Sequence, residues 1–143
     1  MNNNPPAIPM PIVTFGRATN VVMVVLGLIL QSPIPVYFLL LLRLAALFGG
    51  PRYNLISRAG RLLLTQRLAD AELEDMRPVR FNNGLAAFLF SIAALFFALG
   101  IPVAGWIFAL MVAAASGTAL AGFCVGCFMY YQFNLQRYRI FGK

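Results

Sequence analysis

Two cysteines carry the most reactive side chains of this sequence. Cys124 and Cys127 are its only cysteines, and they stand three positions apart in the segment Gly122-Phe-Cys-Val-Gly-Cys127. Residues three apart share one face of a helix, so both sulfurs would point the same way. Because the thiolate is the reactive form of cysteine, such a pair could exchange disulfides or relay sulfur.

Two arginines are expected near these cysteines. Arg17 and Arg80 each open an apolar arm of the chain, and counting residues along the last arm puts the cysteines at the same membrane depth. A guanidinium lowers the pKa of a neighbouring thiol, so Arg17 and Arg80 would give a reactive pair electrostatic support. The alternative stays open that the cysteines are structural, since buried cysteine is also an ordinary small apolar residue.

The residue types present predict no metal site. The chain has no histidine, and two cysteines alone leave a zinc site incomplete. No carboxylate falls within the apolar blocks, which argues against a proton-coupled transporter or pump. No cofactor is predicted either, and a bound lipid or pigment stays open.

The composition predicts a membrane protein. Of the 143 residues, 61% are hydrophobic and 10% are charged, against about 25% charged in soluble domains. The formal net charge is +7, but the basic residues lie between the apolar blocks or at their ends, where membrane topology places them. We therefore expect membrane lipids as partners and no nucleic acid.

Four apolar blocks predict an all-α membrane protein whose four transmembrane helices form two helical hairpins. The expected spans cover about residues 12–31, 35–48, 81–99 and 103–128. A helix needs about 20 residues to cross a bilayer, so the second span is short. Proline-containing breaks at residues 33–35 and 100–102 would turn the chain within each hairpin. Residues 1–11 predict a flexible Asn/Pro-rich tail, and residues 12–143 a single membrane domain.

The segment 49–80 between the hairpins has a different character. It holds all four acidic residues of the chain, and its leucines recur at helical spacing. We predict an amphipathic helix that lies in the membrane interface, with a solvated linker as the alternative. Its arginines would contact lipid headgroups. They are Arg52, Arg58, Arg61 and Arg67.

The distribution of arginine predicts the orientation. The start of the first span, the segment 49–80 and the C-terminus are basic, whereas the two proline-containing breaks carry no charge. The positive-inside rule therefore places both termini and the central segment in the cytoplasm. Arg43, inside the short second block, is expected to snorkel to the nearby interface.

The two halves of the chain begin alike. Arg17-Ala-Thr-Asn20 opens the first hairpin, and Arg80-Phe-Asn-Asn83 opens the second. Each is followed by an apolar run and an Ile-Pro turn. The pattern predicts two parallel hairpin repeats, and generic punctuation of helical hairpins explains it equally well.

Three segments give the chain a resemblance to a known family. They are Gly49-Gly-Pro-Arg-Tyr53, Arg77-Pro-Val-Arg-Phe81, and the cysteine segment followed by Tyr130 or Tyr131. From about Arg17 to Tyr131, the chain resembles a bacterial family of small four-helix membrane proteins classed as a domain of unknown function. The resemblance implies a multi-pass protein of the bacterial inner membrane with a thioredoxin-like or rhodanese-like partner. It carries over no catalytic residue.

Three functions stay open on the sequence alone. The sequence favours a non-catalytic accessory or scaffold subunit of a larger membrane complex, because packing and topology explain most of its features. The first alternative is a thiol-redox or sulfur-relay membrane protein that uses Cys124 and Cys127. The second is a small-molecule channel or transporter, which the scarcity of polar residues in the spans disfavours. Enzymatic activity is accordingly not the favoured prediction.

Overall fold

The computed structural model describes residues 7–49, 55–67 and 70–142, which are almost entirely helical. The elements in chain order are β1 (Ala7–Pro9), α1 (Met10–Ile29), α2 (Ile34–Gly49), α3 (Leu55–Leu63), β2 (Leu73–Asp75), α4 (Met76–Ala98), α5 (Pro102–Leu120) and α6 (Val125–Phe141). A short 3₁₀ turn, Thr65–Arg67, follows α3. The predicted all-α class is confirmed for this part of the chain.

Three of the described helices, α1, α4 and α5, are long and apolar enough to cross a membrane. The helix α2 is also apolar but has only 16 residues. The outer faces of these helices expose large apolar side chains, among them Val22, Ile29, Leu41, Phe88, Leu95, Val103 and Ile107. An apolar surface of this extent is unfavourable in water and suits lipid. The chain therefore has the helices of a membrane protein.

The centre of the bundle is an apolar cluster. Val24 of α1, Leu39 of α2, Phe90 of α4 and Ala109 of α5 are fully buried in it. The helix α4 packs against both α2 and α5, and α1 packs against α5. This cluster holds the four helices together and fixes the more polar end of the bundle, where the site lies.

Three helices end in the same kind of turn. The residues that follow their C-caps have positive φ angles: Gln31 (52°), Gly100 (78°) and Gly122 (104°). After α5, the backbone N–H groups of Gly122 and Phe123 donate to the carbonyls of Ala119 and Thr118 respectively. This is the hydrogen-bond pattern of a Schellman cap, which ends a helix and satisfies its last carbonyls.

The fourth apolar block is therefore two helices, whereas a single span was predicted over residues 103–128. The helix α5 ends at Leu120, and α6 begins at Val125. The physical reason is the left-handed backbone at Gly122, which glycine adopts without a steric penalty. The cysteines consequently do not share a continuous helix face, because Cys124 precedes the first residue of α6.

A two-stranded ribbon joins the starts of α1 and α4. The strands β1 and β2 pair antiparallel, with Ile8 opposite Glu74. The N–H of Met10 extends the pairing by donating to the carbonyl of Glu72 at 2.9 Å. Because each strand leads directly into its helix, the ribbon fixes the first turns of α1 and α4 beside each other.

The ribbon also changes the boundary of the predicted tail over residues 1–11. Within that range the structure describes Ala7–Pro9 as β1 and begins α1 at Met10. Pro11 lies in the first turn of α1, where a residue without an N–H is tolerated because the first turn leaves its N–H groups unpaired. Pro9 and Pro11 thus lie at the start of a helix, where a flexible tail was predicted.

The helix α3 is amphipathic and packs against the start of α1. Ile56 is buried, and a Cβ at Gly60 would lie 3.4 Å from the ring of Phe15. The other face exposes Leu55, Leu62 and Leu63. Its position in the membrane interface stays a prediction.

Two of the four arginines that were predicted to contact lipid headgroups have described side chains. Arg58 and Arg61 are exposed on α3. Arg52 and the side chain of Arg67 lie outside the described residues, so headgroup contact stays a prediction for all four.

Candidate functional site

The two cysteines form a disulfide at the start of α6. The Cα atoms of Cys124 and Cys127 are 5.2 Å apart. Cys124 is the N-cap of α6, and its Sγ accepts a hydrogen bond from the backbone N–H of Cys127 at 3.2 Å. The sulfur thus occupies the place that a serine or aspartate oxygen usually takes at the start of a helix. Both cysteines are half-buried, so neither sulfur is sealed inside the bundle.

Arg17 reaches the disulfide from α1. Its side chain is 9% exposed, and its Nη2 lies 3.6 Å from the Sγ of Cys124. The same nitrogen donates to Oε1 of Glu74 at 3.2 Å. The structure therefore brings together Cys124 and one of the two arginines that the sequence singled out.

Glu74 of β2 is the carboxylate of the site. Its Oε1 lies 3.9 Å from the Sγ of Cys127, and its Oε2 is buried without a hydrogen-bond partner in the described part of the chain. Glu74 was not predictable from the sequence pattern, because a three-residue strand is too short to show a period. The available signal was a cluster of acidic residues directly before the third apolar block.

Arg80 lies elsewhere at this end of the bundle. It is exposed on α4 and lines a neighbouring cavity. In the described ranges, the side-chain and backbone donors to a cysteine sulfur are Arg17 and Cys127. Electrostatic support from Arg80 stays a prediction without a direct contact behind it.

The helix α4 holds α6 in place below the disulfide. A Cβ at Gly126 would clash with the side chain of Asn82, so the two helices approach closely at this glycine. One turn later, the ring centroids of Phe81 and Tyr130 lie 5.6 Å apart. These contacts position the first turn of α6, and with it both cysteines.

Arg43 of α2 is the centre of a buried polar network. It is 6% exposed, and its Nη1 and Nη2 donate to Oδ1 of Asn83 and of Asn20, each at 2.6 Å. Asn20 in turn donates to Oγ of Ser116 at 3.1 Å. The prediction that Arg43 snorkels to the interface is wrong, because the side chain is buried and its two terminal nitrogens donate to acceptors on the facing helices.

The two halves of the chain meet at this guanidinium. Asn20 and Asn83 close the matching segments that begin at Arg17 and Arg80. Both asparagines hydrogen-bond to Arg43. Matching positions of the two segments thus contribute to one network.

A cavity of about 270 Å³ lies at this end of the bundle. Its polar lining includes Arg17, Asn20, Arg43, Arg80, Asn83 and Ser116. Its walls are apolar and include Ile12, Val13, Leu89 and Val112. Because Arg17 both lines the cavity and contacts Cys124, the cavity adjoins the disulfide.

A known protein family matches most of this chain. The family described as a domain of unknown function, DUF4395, matches residues 8–134. The chain belongs to the DUF4395 family. No curated protein and no solved structure matches it significantly.

The match to DUF4395 includes Arg17, Glu74 and both cysteines of the site. It agrees with the resemblance to a family of unknown function. In the described part of this DUF4395 chain, no cluster of three or more His, Cys, Asp or Glu side chains could hold a metal ion. Since the family has no assigned activity, the function has to be argued from the site itself.

Proposed function

We propose that this protein is a membrane thiol–disulfide oxidoreductase whose redox centre is the Cys124–Cys127 pair. The observation that carries the proposal is the position of Cys124. Its Sγ caps α6 and lies 3.6 Å from the guanidinium of Arg17. A helix N-terminus and a neighbouring arginine are the two surroundings that favour a cysteine thiolate.

Cys124 is the nucleophile in this proposal. In the reduced protein its thiolate would keep the N–H of Cys127 and the guanidinium of Arg17 as donors. The positive end of the helix dipole adds to their effect. We therefore expect the pKa of the Cys124 thiol to lie below that of a free cysteine, about 8.5.

Cys127 is the resolving cysteine, and Glu74 is its proton acceptor. The carboxylate lies 3.9 Å from the Sγ of Cys127, a distance at which a small movement would form a hydrogen bond. A negative charge disfavours a thiolate beside it, so Cys127 would stay protonated until it attacks. This difference in surroundings separates the roles of the two sulfurs.

The exchange proceeds in two balanced steps. The Cys124 thiolate attacks a substrate disulfide R–S–S–R′, which forms a mixed disulfide with R–S and releases R′–S⁻. Cys127 then transfers its proton to Glu74 and attacks the mixed disulfide, which releases R–S⁻ and leaves the Cys124–Cys127 disulfide. Two electrons pass from the protein to the substrate, and a partner dithiol returns them by the reverse exchange.

The charge pattern of the chain supports a catalytic disulfide. The site lies at the basic ends of the apolar blocks, the side that the positive-inside rule assigns to the cytoplasm. Disulfides in the cytoplasm are usually catalytic or redox-sensing. We accordingly propose four spans in a bacterial inner membrane, both termini in the cytoplasm, and a thioredoxin-like or rhodanese-like protein as the partner.

The role of an accessory or scaffold subunit stays a prediction of the sequence. The exposed apolar faces of the bundle suit lipid as well as a partner subunit, so they do not distinguish the two. The contacts around the cysteines distinguish better, because a purely structural pair has no need of a buried arginine and a carboxylate.

A redox titration tests the proposal. The protein in lipid nanodiscs is equilibrated with glutathione buffers of different potential, and the alkylated fraction is measured by mass spectrometry. We expect a two-electron transition at a potential above about −300 mV, where exchangeable disulfides lie. A pair that stays oxidised below that value, or resists alkylation until the protein is denatured, would indicate a structural disulfide.

A further inference from the structure

The cavity beside the disulfide carries an excess of positive charge. Arg17, Arg43 and Arg80 line it, and its described lining includes no acidic residue. Glu74 balances one of these charges from outside the lining through its ion pair with Arg17. The cavity therefore has at least two cationic side chains more than it has anionic partners.

Arg43 is the most deeply buried of these three arginines. Its exposed fraction is 6%, so 94% of the residue is buried. Its acceptors are the amide oxygens of Asn20 and Asn83 and the carbonyl of Gly16, all of them neutral. A buried charge is costly unless an opposite charge accompanies it. These neutral acceptors take hydrogen bonds from the two terminal nitrogens of Arg43 and leave its charge uncompensated.

Two buried donors at the cavity also lack acceptors. The Nε atoms of Arg17 and Arg43 are buried and have no hydrogen-bond partner in the described part of the chain. Native proteins rarely leave such donors unpaired, so each one calls for an acceptor. An oxyanion would provide several acceptor oxygens and a compensating charge at once.

We propose that this cavity binds an oxyanion between Arg17 and Arg43. Its volume of about 270 Å³ holds a sulfate or phosphate group with room to spare. Two kinds of ligand carry such an oxyanion group: a free sulfate or phosphate ion, and an anionic lipid with its phosphate. The apolar wall of Ile12, Val13 and Leu89 would accommodate the first carbons of a lipid chain.

Anion binding is coupled to the cysteines through Arg17. This arginine lines the cavity and contacts the Sγ of Cys124. Anion binding itself requires no thiol chemistry, so this proposal does not depend on the proposed oxidoreductase function.

The experiment measures thermal unfolding in nanodiscs of stated composition. In the first arm, the discs contain phosphatidylcholine only, and sulfate replaces chloride at constant ionic strength. In the second arm, sulfate is absent and phosphatidylglycerol replaces part of the lipid, with native mass spectrometry counting retained lipid. A ligand that binds only the folded protein raises the unfolding midpoint, here by about 3 °C or more at saturation.

Two variants and one control locate the site. Arg43→Met should lose the response, whereas Arg77→Gln, an exposed arginine outside the cavity lining, should keep it. Asn83→Asp covers the case in which Arg43→Met fails to fold. It places a carboxylate next to Arg43 without a change of shape, so it should fold and abolish the response.

Each outcome bears on the proposal. A response to sulfate identifies a free oxyanion as ligand, a response to phosphatidylglycerol identifies a lipid phosphate, and both together show that either occupies the site. No response in either arm overturns the proposal. An undiminished response in Asn83→Asp also overturns it, because the anion would then bind elsewhere.

Discussion

The guanidinium of Arg17 lies 3.6 Å from the Sγ of Cys124, a residue 107 positions further along the chain. The same nitrogen holds Glu74, which lies next to Cys127. Cys124 therefore lies beside the positive charge of Arg17, and Cys127 lies beside the negative charge of Glu74. A positive charge favours a thiolate, whereas a carboxylate can accept a proton. The two sulfurs of the pair therefore have different surroundings.

The role of Glu74 is tested by Glu74→Gln. The reduced protein is mixed with dipyridyl disulfide, and the release of thiopyridone is followed by absorbance. The first release reports attack by Cys124, and the second reports attack by Cys127. We expect the variant to slow the second release by about 10-fold or more while the first persists, because the proton acceptor of Cys127 is lost.

The control for this test is Glu72→Gln, which changes an exposed carboxylate two residues earlier. It should leave both releases as in the unaltered protein. Equal rates for the second release in Glu74→Gln and Glu72→Gln would remove Glu74 from the mechanism.

The turn between α5 and α6 is tested by Gly122→Ala. Gly122 has a φ of 104° and open space around it, so an added methyl group meets strain in the backbone alone. We expect a loss of about 1 kcal/mol in the free energy of unfolding. Thermal unfolding in nanodiscs measures it as a lower midpoint.

Gly84→Ala is the matched control for Gly122→Ala. Gly84 also has open space but lies inside α4, where alanine is the better helix former. It should raise the midpoint or leave it unchanged. A fall of the same size in both variants would contradict the account of the turn.

The packing of α5 against α4 is tested by Gly105→Ala. A Cβ there would lie 2.9 Å from ring atoms of Phe97, which already packs edge-on against Trp106 at 5.2 Å between ring centroids. We expect a destabilisation of about 1–3 kcal/mol from this overpacking. Gly117→Ala on the same helix meets nothing within 4 Å and should be neutral or stabilising in the same unfolding assay.

The sequence predicted the helices of this fold well where composition alone determines them. The apolar blocks became α1, α2, α4 and α5, and the proline-containing breaks separate α1 from α2 and α4 from α5. The end of α5 was not predicted, although glycine, here Gly122, commonly follows the last residue of a helix. The apolar run continues past it, and hydropathy does not register a change in backbone direction.

The site was predictable only in part, because its contacts join distant segments. Cys124, Cys127 and Arg17 were selected from their residue types and spacing. The short ribbon placed Glu74 beside them, and a three-residue pairing leaves no pattern in the sequence. Arg43 was expected to snorkel because its acceptors, Asn20 and Asn83, lie 23 and 40 positions away.

The measurement that tests the central claim most directly is the pH dependence of Cys124 alkylation in the reduced protein. Rates are read by mass spectrometry of the Cys124 peptide, for the unaltered protein, Arg17→Gln, Arg17→Lys and the exposed control Arg77→Gln. We predict a midpoint below the free cysteine value of about 8.5 in the unaltered protein and in Arg77→Gln. Arg17→Gln should raise the midpoint, and Arg17→Lys should restore part of the difference because it keeps the charge. A midpoint at or above the free value that does not change in Arg17→Gln would contradict a thiolate centre at Cys124.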